Sequence, residues 1–402
     1  AVSSESQSLL VLAGAGSGKT RVIAHRVAWI VKALNISPQS LLTVTFTNKA
    51  AREMRGRIEE ILEDQLGDFW CGTFHGISHR ILRRHWEEAG LRKEFAILDS
   101  EDQLRVVKRV CKSLQIDDSK WPAKQIQWYI NKEKDEGRRP EDAETGDYFS
   151  EQMTNIYSEY QALCNQESLV DFGELLLRTY ELIDGNEKIL NHYRARFKHI
   201  LVDEFQDTNE VQYKFLLLLK GNENNISAVG DDDQSIYGWR GADVTNILDF
   251  EKSFPSCQIF TLEKNYRSTQ QILDAATAVV SHNDVRATKT LTAENGSGEL
   301  LGLMETRDEL EESDAIISSI EKEIKLNKRT FSDFSVLYRT NAQSRALEDS
   351  FRRMGIPYNL VGSVRFYDRK EVKDVLAYLR LVINLRDTIS LRRIINFPPR
   401  GI

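Results

Sequence analysis

The sequence AGAGSGKT at residues 13–20 stands between a short apolar run at residues 8–12 and an apolar-periodic stretch at residues 22–34. The order of strand, glycine-rich loop and helix is typical of a phosphate-binding loop, because small residues let backbone N–H groups surround a phosphate chain and the helix N-terminus adds positive charge. The strict pattern has glycine in place of Ala13, so an ordinary glycine-rich turn is the alternative. We predict that Lys19 reaches the β- and γ-phosphates and that the Thr20 hydroxyl holds Mg²⁺.

Strand and helix patterns alternate on either side of this loop. A second apolar run at residues 41–46 leads into a helical pattern with apolar residues on one face from Ala50 to Ile61. Further strands are predicted at residues 199–202 and 226–229. This alternation indicates an α/β fold with a parallel, doubly wound sheet.

Residues 75–197 show one helical pattern after another, and the simplest account is a helical insertion inside the α/β domain. Ser100 and Gln103 predict a capping box at the start of one of these helices, and residues 169–183 predict another amphipathic helix. A new segment begins near residues 265–267.

In that later segment we predict a strand at residues 334–338, a helix at residues 342–354 and further helix from residue 362.

Composition restricts the class of protein. The chain has 402 residues, of which 41% are hydrophobic and 29% are charged, which excludes a disordered or collagen-like chain. The apolar runs are far shorter than the roughly 20 residues of a membrane span. Four cysteines without a C-x-x-C pair fit a reducing cytoplasm. The net charge of −7 argues against a protein that coats DNA, but it allows a local basic groove.

The second motif is HILVDEFQD at residues 199–207. An apolar strand that ends in two carboxylates suits nucleotide hydrolysis: Asp203 would hold Mg²⁺ and Glu204 would polarise the attacking water. An acidic pair at a strand end is otherwise most often a helix cap. The phosphate-binding loop favours the functional interpretation.

The third motif is GDDDQSIYGWRG at residues 230–241, which also follows a strand and therefore shares its sheet edge with the first two. Gln234 is placed to sense a γ-phosphate. Tyr237 and Trp239 offer flat faces on which bases of any sequence can stack. The alternative is that both aromatic side chains belong to the core, but the neighbouring glycines favour a loop.

Basic and aromatic side chains also meet at two other element ends. Phe46 and Asn48 follow a strand, and His75 precedes a helix that carries Arg83 and Arg84. We predict contacts with nucleic acid for Phe46, Asn48 and His75. For the two arginines a solvated helix face is the better interpretation.

Seven stretches in this order resemble superfamily 1 DNA helicases of the UvrD/Rep/PcrA group, and the resemblance covers essentially the whole chain. The stretches are AGAGSGKTR, TFTNKAA, GTFHG, LVDEFQDTN, VGDDDQSIYGWRGA, LEKNYRS and LYRTNAQSR. The resemblance implies a P-loop NTPase with two RecA-like parallel-sheet domains, each with a helical insertion, and ATP bound between them.

The resemblance also assigns roles to single residues. Lys19, Asp203, Glu204, Gln234 and Arg267 would carry out catalysis, with Mg²⁺ held by Thr20 and Asp203. The ATP-binding residues would be Ala13, Gly14, Ala15, Gly16, Ser17, Gly18, Lys19, Thr20, Arg21, Tyr266 and Arg267, with Arg21 and Tyr266 beside the adenine. Single-stranded DNA would be contacted by Phe46, Asn48, His75, Tyr237, Trp239, Arg339 and Asn341.

The implied domains are a first RecA-like domain (1–73 and 198–263), its helical insertion (74–197), the first part of a second RecA-like domain (264–361) and the start of a second insertion (362–402). We expect the second domain and its insertion to be incomplete in these 402 residues. The family's adenine-reading glutamine and its second arginine finger are expected outside the chain.

These features predict an ATP-dependent 3′→5′ DNA helicase and single-strand translocase of DNA repair, which acts on single-stranded and 3′-tailed duplex DNA. Other repair proteins would be its partners, and no membrane would be involved. It would be located in the cytoplasm on the bacterial nucleoid. The active form would be a monomer or a dimer. The alternatives are the helicase part of a recombination helicase–nuclease and a non-catalytic single-strand binding module.

Overall fold

The computed structural model describes residues 1–361 and 370–401. The chain forms two compact units, Ala1–Glu299 and Leu300–Ile402, and each is described separately below. The division falls after residue 299, whereas the domain boundary predicted from the sequence lies at residue 264, so the domain assignment stays a prediction.

The first unit is built on a six-stranded parallel sheet, as predicted. The strand order is β3-β2-β6-β7-β1-β8, and two small parallel pairs, β4 with β5 and β9 with β10, lie outside it. The described strands are β1 (Ser8–Ala13), β2 (Leu41–Thr45), β3 (Trp70–Thr73), β4 (Ala96–Ile97), β5 (Leu169–Val170), β6 (His199–Val202), β7 (Asn225–Gly230), β8 (Gln258–Leu262), β9 (Lys264–Asn265) and β10 (Thr292–Ala293).

The central strands are buried along almost their whole length because both faces of the sheet are covered. All six residues of β1 and all four of β6 are buried, which is the pattern of parallel strands with helices on both sides. One face packs against helices that carry Ile23, Val27 and Met54, and the other packs against Phe205, Phe250 and neighbouring residues. This burial keeps the strand ends, and the loops that follow them, in a fixed arrangement.

Helices account for most of the remaining chain, and residues 74–197 are predominantly helical, as predicted. The described helices are α1 (Lys19–Lys32), α2 (Asn48–Leu62), α3 (Phe74–Arg84), α4 (Ser100–Ser113), α5 (Ala123–Asp135), α6 (Tyr148–Glu167), α7 (Phe172–Asp184), α8 (Glu187–Arg196), α9 (Glu210–Lys220), α10 (Thr245–Leu248), α11 (Phe250–Ser253), α12 (Gln270–Val280), α13 (Glu309–Asn327), α14 (Ser344–Arg353), α15 (Lys370–Ile383) and α16 (Thr388–Ile394).

Two local predictions inside the insertion are wrong in detail. Asp99, not Ser100, caps α4, because its carboxylate accepts hydrogen bonds from the backbone N–H groups of Glu101 and Asp102. The predicted helix at residues 169–183 begins only at Phe172, since the two residues of β5 pair with β4 before Asp171 caps the helix. A period-based prediction missed this short parallel pair.

In the second unit, helix α14 confirms the predicted helix at residues 342–354, but the predicted strand at residues 334–338 is wrong. No strand is assigned between residues 300 and 361 or between 370 and 401, so this apolar run has no described partner to complete a ladder of hydrogen bonds. The predicted start of a second insertion at residue 362 lies outside the described residues. Within the part of the chain that the structure describes, every helix is too short or too polar to cross a bilayer.

Candidate nucleotide and nucleic-acid site

The predicted phosphate loop, the acidic pair and the third motif meet at one edge of the sheet. Strand β1 pairs with β7, and β7 pairs with β6, all in parallel, so the residues that follow their carboxyl ends are neighbours. This edge is where open α/β sheets bind their ligands.

The loop that leaves β1 has the backbone of a phosphate cradle. Ala13 is the last residue of β1 and pairs with Leu262, so the strand conformation at this position suits alanine as well as glycine. Gly16 has a φ of +72°, and a Cβ there would meet Asn265 and Arg267. Gly18 precedes α1 without a side-chain cap, which leaves the N–H groups of the first turn available to an anion.

Lys19, at the start of α1, reaches across to the acidic pair. Its ammonium lies 2.8 Å from Oε2 of Glu204, and only 9% of the lysine is exposed. The Thr20 hydroxyl lies 3.4 Å from Oδ2 of Asp203. The structure therefore brings Lys19, Thr20, Asp203 and Glu204 together, and the interpretation of the acidic pair as a mere helix cap loses its basis.

The two carboxylates differ in their surroundings. Burial and the neighbouring Glu204 charge raise the pKa of Asp203 to about 6, while Lys19 opposes the shift. Glu204 has a left-handed backbone with a φ of +51°, and its Oε2 also accepts a hydrogen bond of 3.1 Å from the Gln206 amide. Burial likewise raises the pKa of Asp207 to about 6.

These donors fit the ATP and Mg²⁺ that the sequence analysis predicts. A hydroxyl and a buried carboxylate side by side offer the hard oxygen ligands that Mg²⁺ prefers. Lys19 and the uncapped first turn of α1 supply positive charge beside the loop. Glu204 lies next to this group and is oriented by two donors, as a general base requires.

Gln206 connects the acidic pair to the third motif. Its amide oxygen accepts a hydrogen bond of 3.0 Å from the backbone N–H of Asp231, and the Asp231 carboxylate accepts one from the Gln234 amide. Gln234 is thus placed on the same edge as Glu204, two hydrogen-bonded residues away. Sequence reasoning missed the role of Gln206, although it lies inside the quoted motif.

The segment at residues 265–267 lies directly against the phosphate loop. The Asn265 side chain donates to the backbone oxygen of Ala15 over 2.5 Å, and the backbone N–H of Tyr266 donates to that of Gly16 over 3.0 Å. The Arg267 side chain is exposed, as are Arg21 and 61% of Tyr266. Asn265, which fixes this segment, was not predicted.

The aromatic loop after Gln234 is exposed, so the core interpretation of Trp239 is wrong. Trp239 is 67% exposed and Tyr237 is half-buried, with ring centroids 6.3 Å apart. The guanidinium of Arg240 lies 4.5 Å from the Trp239 ring and 5.2 Å from the Tyr237 ring. A cation next to two aromatic faces is a surface suited to stacked bases and phosphates.

A second aromatic group lies at the ends of β2 and β3. The rings of Phe46 and Phe74 meet edge to face at 5.7 Å, and those of His75 and Phe172 at 5.6 Å. Burial and the Arg240 charge lower the pKa of His75 to about 4, so this ring is neutral at pH 7 and offers hydrogen bonds and an aromatic face. Phe172 is 48% exposed and was not predicted.

Asn48 is exposed at the first turn of α2, two residues after Phe46 in the chain. Arg339 and Asn341 are exposed in the second unit, and their predicted DNA contacts stay predictions.

Comparison with known proteins decides the family. Residues 1–255 match the UvrD/REP helicase N-terminal domain, and residues 260–402 match the UvrD-like helicase C-terminal domain. The chain belongs to the UvrD-like helicase family.

Among its UvrD-like relatives, DNA helicase II of Escherichia coli (strain K12) is 48% identical over 403 aligned positions, which cover 100% of this chain and 56% of the relative. DNA helicase II of Haemophilus influenzae is 49% identical over 398 positions, 98% of this chain and 54% of the relative. ATP-dependent DNA helicase PcrA of Staphylococcus aureus (strain Mu50) is 44% identical over 396 positions, again 98% and 54%. The chain spans just over half the length of these UvrD-like relatives.

Proposed function

We propose that the protein is an ATP-dependent DNA helicase that moves along single-stranded DNA in the 3′→5′ direction. The observation that carries this proposal is the single sheet edge on which Lys19, Asp203 and Glu204 lie near the aromatic loop of Tyr237 and Trp239. The names of the relatives, DNA helicase II and ATP-dependent DNA helicase PcrA, support it.

On the nucleotide side, water would attack the γ-phosphorus of bound ATP, and the bond to the β–γ bridging oxygen would break to release ADP and phosphate. Lys19 neutralises phosphate charge, Thr20 and Asp203 hold the metal, and Glu204 takes the proton of the water. Gln234 and Arg267 complete the residues that face the γ-phosphate, and Arg21 with Tyr266 flanks the adenine. The loop residues 13–18 surround the phosphates with their backbone N–H groups.

On the DNA side, Phe46, Tyr237 and Trp239 stack on bases without reading sequence. Asn48 and His75 bind the strand at the neighbouring element ends, and Arg339 and Asn341 are further contacts with DNA. Substrates are single-stranded DNA and duplexes with a 3′ tail.

We assign this edge to a first RecA-like domain (1–73 and 198–263) with a helical insertion (74–197). Residues 264–361 begin a second RecA-like domain, and residues 362–402 begin its insertion. We place the protein in nucleotide excision and mismatch repair on the bacterial nucleoid, as a monomer or dimer with repair-protein partners.

The test is a pair of assays on the full-length protein with ATP and Mg²⁺. We expect ATP turnover that single-stranded DNA stimulates, and displacement of a strand from a 3′-tailed duplex but not from a 5′-tailed one. Unwinding of the 5′-tailed duplex alone would contradict the polarity. DNA binding without ATP turnover would identify a single-strand binding module, and metal-dependent DNA cleavage would identify a helicase–nuclease.

A further inference from the structure

Three consecutive aspartates in the third motif are bound by basic side chains of residues 286–289, a segment outside all the motifs described above. Lys289 is 7% exposed, and its ammonium lies 2.5 Å from Oδ1 of Asp232, 3.0 Å from Oδ2 of Asp233 and within hydrogen-bonding distance of Asp231. Arg286 binds Asp233 through two hydrogen bonds of 3.0 and 2.8 Å.

The lysine ammonium lies within bonding distance of all three carboxylates. Carboxylate oxygens of the three aspartates lie within 4.8 Å of one another, a spacing that suits a cation. Although burial lowers the pKa of Lys289, hydrogen bonds with Asp231 and Asp232 raise it above its ordinary value, which favours the charged ammonium. The fold thus supplies its own counter-charge to this cluster.

Only one of the three aspartates also bonds to the candidate catalytic residues. The Asp231 carboxylate accepts from the Gln234 amide as well as from Lys289, and the Asp231 backbone N–H donates to Gln206, which donates to Glu204. Asp232 bonds to Lys289 and to the backbone N–H of Ala287, on the same segment as the lysine.

The segment that carries Lys289 is itself fixed to the phosphate loop. Two residues further on, Leu291 lies so close to Gly14 that a Cβ on this glycine would come within 2.6 Å of it. Strand β10 then pairs with β9, whose Asn265 donates to Ala15. Lys289 therefore connects the phosphate loop to the third motif. In the series of hydrogen bonds that runs through Asp231 and Gln206, Lys289 is at one end and Glu204 is at the other.

We propose that Lys289 is a positioning residue for ATP hydrolysis: through Asp231 it fixes Gln234 and, by way of Gln206, Glu204 with respect to the phosphate loop. This inference rests on the proposed ATPase function and adds to it a residue that touches neither nucleotide nor DNA. The general reason is that catalytic groups act well only when supporting side chains lock their orientation.

The matched pair Asp231→Asn and Asp232→Asn tests the proposal in the full-length protein. Both remove one charge bonded to Lys289, but only Asp231→Asn weakens the connection to Gln234. We expect Asp231→Asn and Lys289→Met to lower kcat for DNA-stimulated ATP turnover at least 10-fold, with KM for ATP and the Kd for single-stranded DNA within 3-fold of wild type. Asp232→Asn should retain at least half of the wild-type kcat, and Lys289→Arg should recover most of it.

A double-mutant cycle measures the coupling between Lys289 and Gln234 in kcat, which a purely structural role of Lys289 would leave unchanged. Because Gln234 is one of the two groups that Lys289 fixes, Lys289→Met should cause a smaller fold-loss in a Gln234→Ala background than in wild type. Lys264→Met, which breaks the exposed ion pair with Glu294 on β9, is the control for a change of charge in this region.

Equal losses for the two asparagine variants, or a wild-type kcat in Lys289→Met, would overturn the proposal. Should Lys289→Met fail to fold, the asparagine pair still decides it. A wild-type protein without DNA-stimulated turnover would refute the proposed function instead, and the two failures are thereby distinguishable.

Discussion

The phosphate loop and the aromatic loop leave the same sheet from paired strands, yet their side chains are arranged in opposite ways. Lys19 is 9% exposed and bonded to Glu204, whereas Trp239 is 67% exposed and its ring lies beside its neighbours Tyr237 and Arg240. Groups that act on one phosphate chain need one geometry, which buried hydrogen bonds supply. A surface that must accept successive bases of any sequence works better without fixed partners.

The largest effect that this comparison predicts is on the buried side. Lys19→Ala should lower ATP turnover by about 10²–10³-fold or more, because it removes the charge that stabilises the transferred phosphoryl group. Single-stranded DNA binding should stay within about 3-fold of wild type, since the aromatic loop does not bond to Lys19. ATPase kinetics and a DNA titration with the same preparations measure both.

Lys32→Ala, at the exposed far end of the same helix, is the control for a lost cation. Parallel losses of DNA affinity and ATP turnover in Lys19→Ala would show that the two loops do not act separately.

The second prediction distinguishes binding from chemistry within the buried side. Glu204→Gln should lower kcat by at least about 10²-fold, the typical effect of removing a general base, while ATP affinity is retained because the amide leaves Lys19 and Thr20 in place. Nucleotide binding and single-turnover hydrolysis should be measured separately. Glu210→Gln, a surface glutamate paired with Lys214, is the matched control; a loss of nucleotide affinity equal to the loss of kcat would refute the assigned role.

The same contrast explains what the sequence made predictable. The largely apolar runs at residues 199–202 and 226–229 predict buried parallel strands, and the residues that follow such strands lie at the same edge of the sheet. The role of Lys289 could not be predicted from the sequence, since a lone lysine in a loop belongs to no pattern and its aspartate partners lie 56 to 58 positions away. The strand predicted at residues 334–338 failed for the opposite reason: an apolar run becomes a strand only where a neighbour completes its hydrogen bonds.

A third prediction concerns the exposed side. Trp239→Ala should weaken single-stranded DNA binding by about 1–3 kcal/mol, nearly equally for oligonucleotides of different sequence, because every base has a face that can stack. Wild-type affinity should also fall as salt rises, through release of counterions from the phosphates. Fluorescence anisotropy with several oligonucleotides at two salt concentrations measures both effects.

Trp128→Ala provides the control, because this tryptophan is 57% exposed on helix α5 of the insertion. A strong sequence preference, or an equal effect of both tryptophan substitutions, would argue against a dedicated stacking surface.

The smallest predicted effect tests a contact of the insertion with the end of the acidic motif and with the aromatic loop. Asp135, the last residue of α5, accepts a hydrogen bond of 2.8 Å from Asn209, which follows the acidic motif. It also lies against Gly241, which closes the aromatic loop with a φ of +79°, so that a Cβ on this glycine would lie 3.2 Å from that of Asp135. Burial and the Asp171 charge raise the pKa of Asp135 to about 7, against the opposing effects of Asn209 and Lys134.

The sign of the pH effect follows from that raised pKa. Between about pH 4 and pH 7 the folded protein holds a proton that the unfolded chain has released, so this group's contribution to the free energy of unfolding falls as pH rises through the window.

Asp135→Asn keeps the acceptor for Asn209 but carries no charge. The variant should therefore gain stability relative to wild type by about 1 kcal/mol between pH 6 and pH 7, and little more above pH 8. Urea unfolding of both proteins from pH 5 to pH 8 measures the difference, with the exposed Asp118→Asn as control. A difference independent of pH would mean that Asp135 is ionised throughout, and that its contact with Asn209 is an ordinary ion–dipole contact.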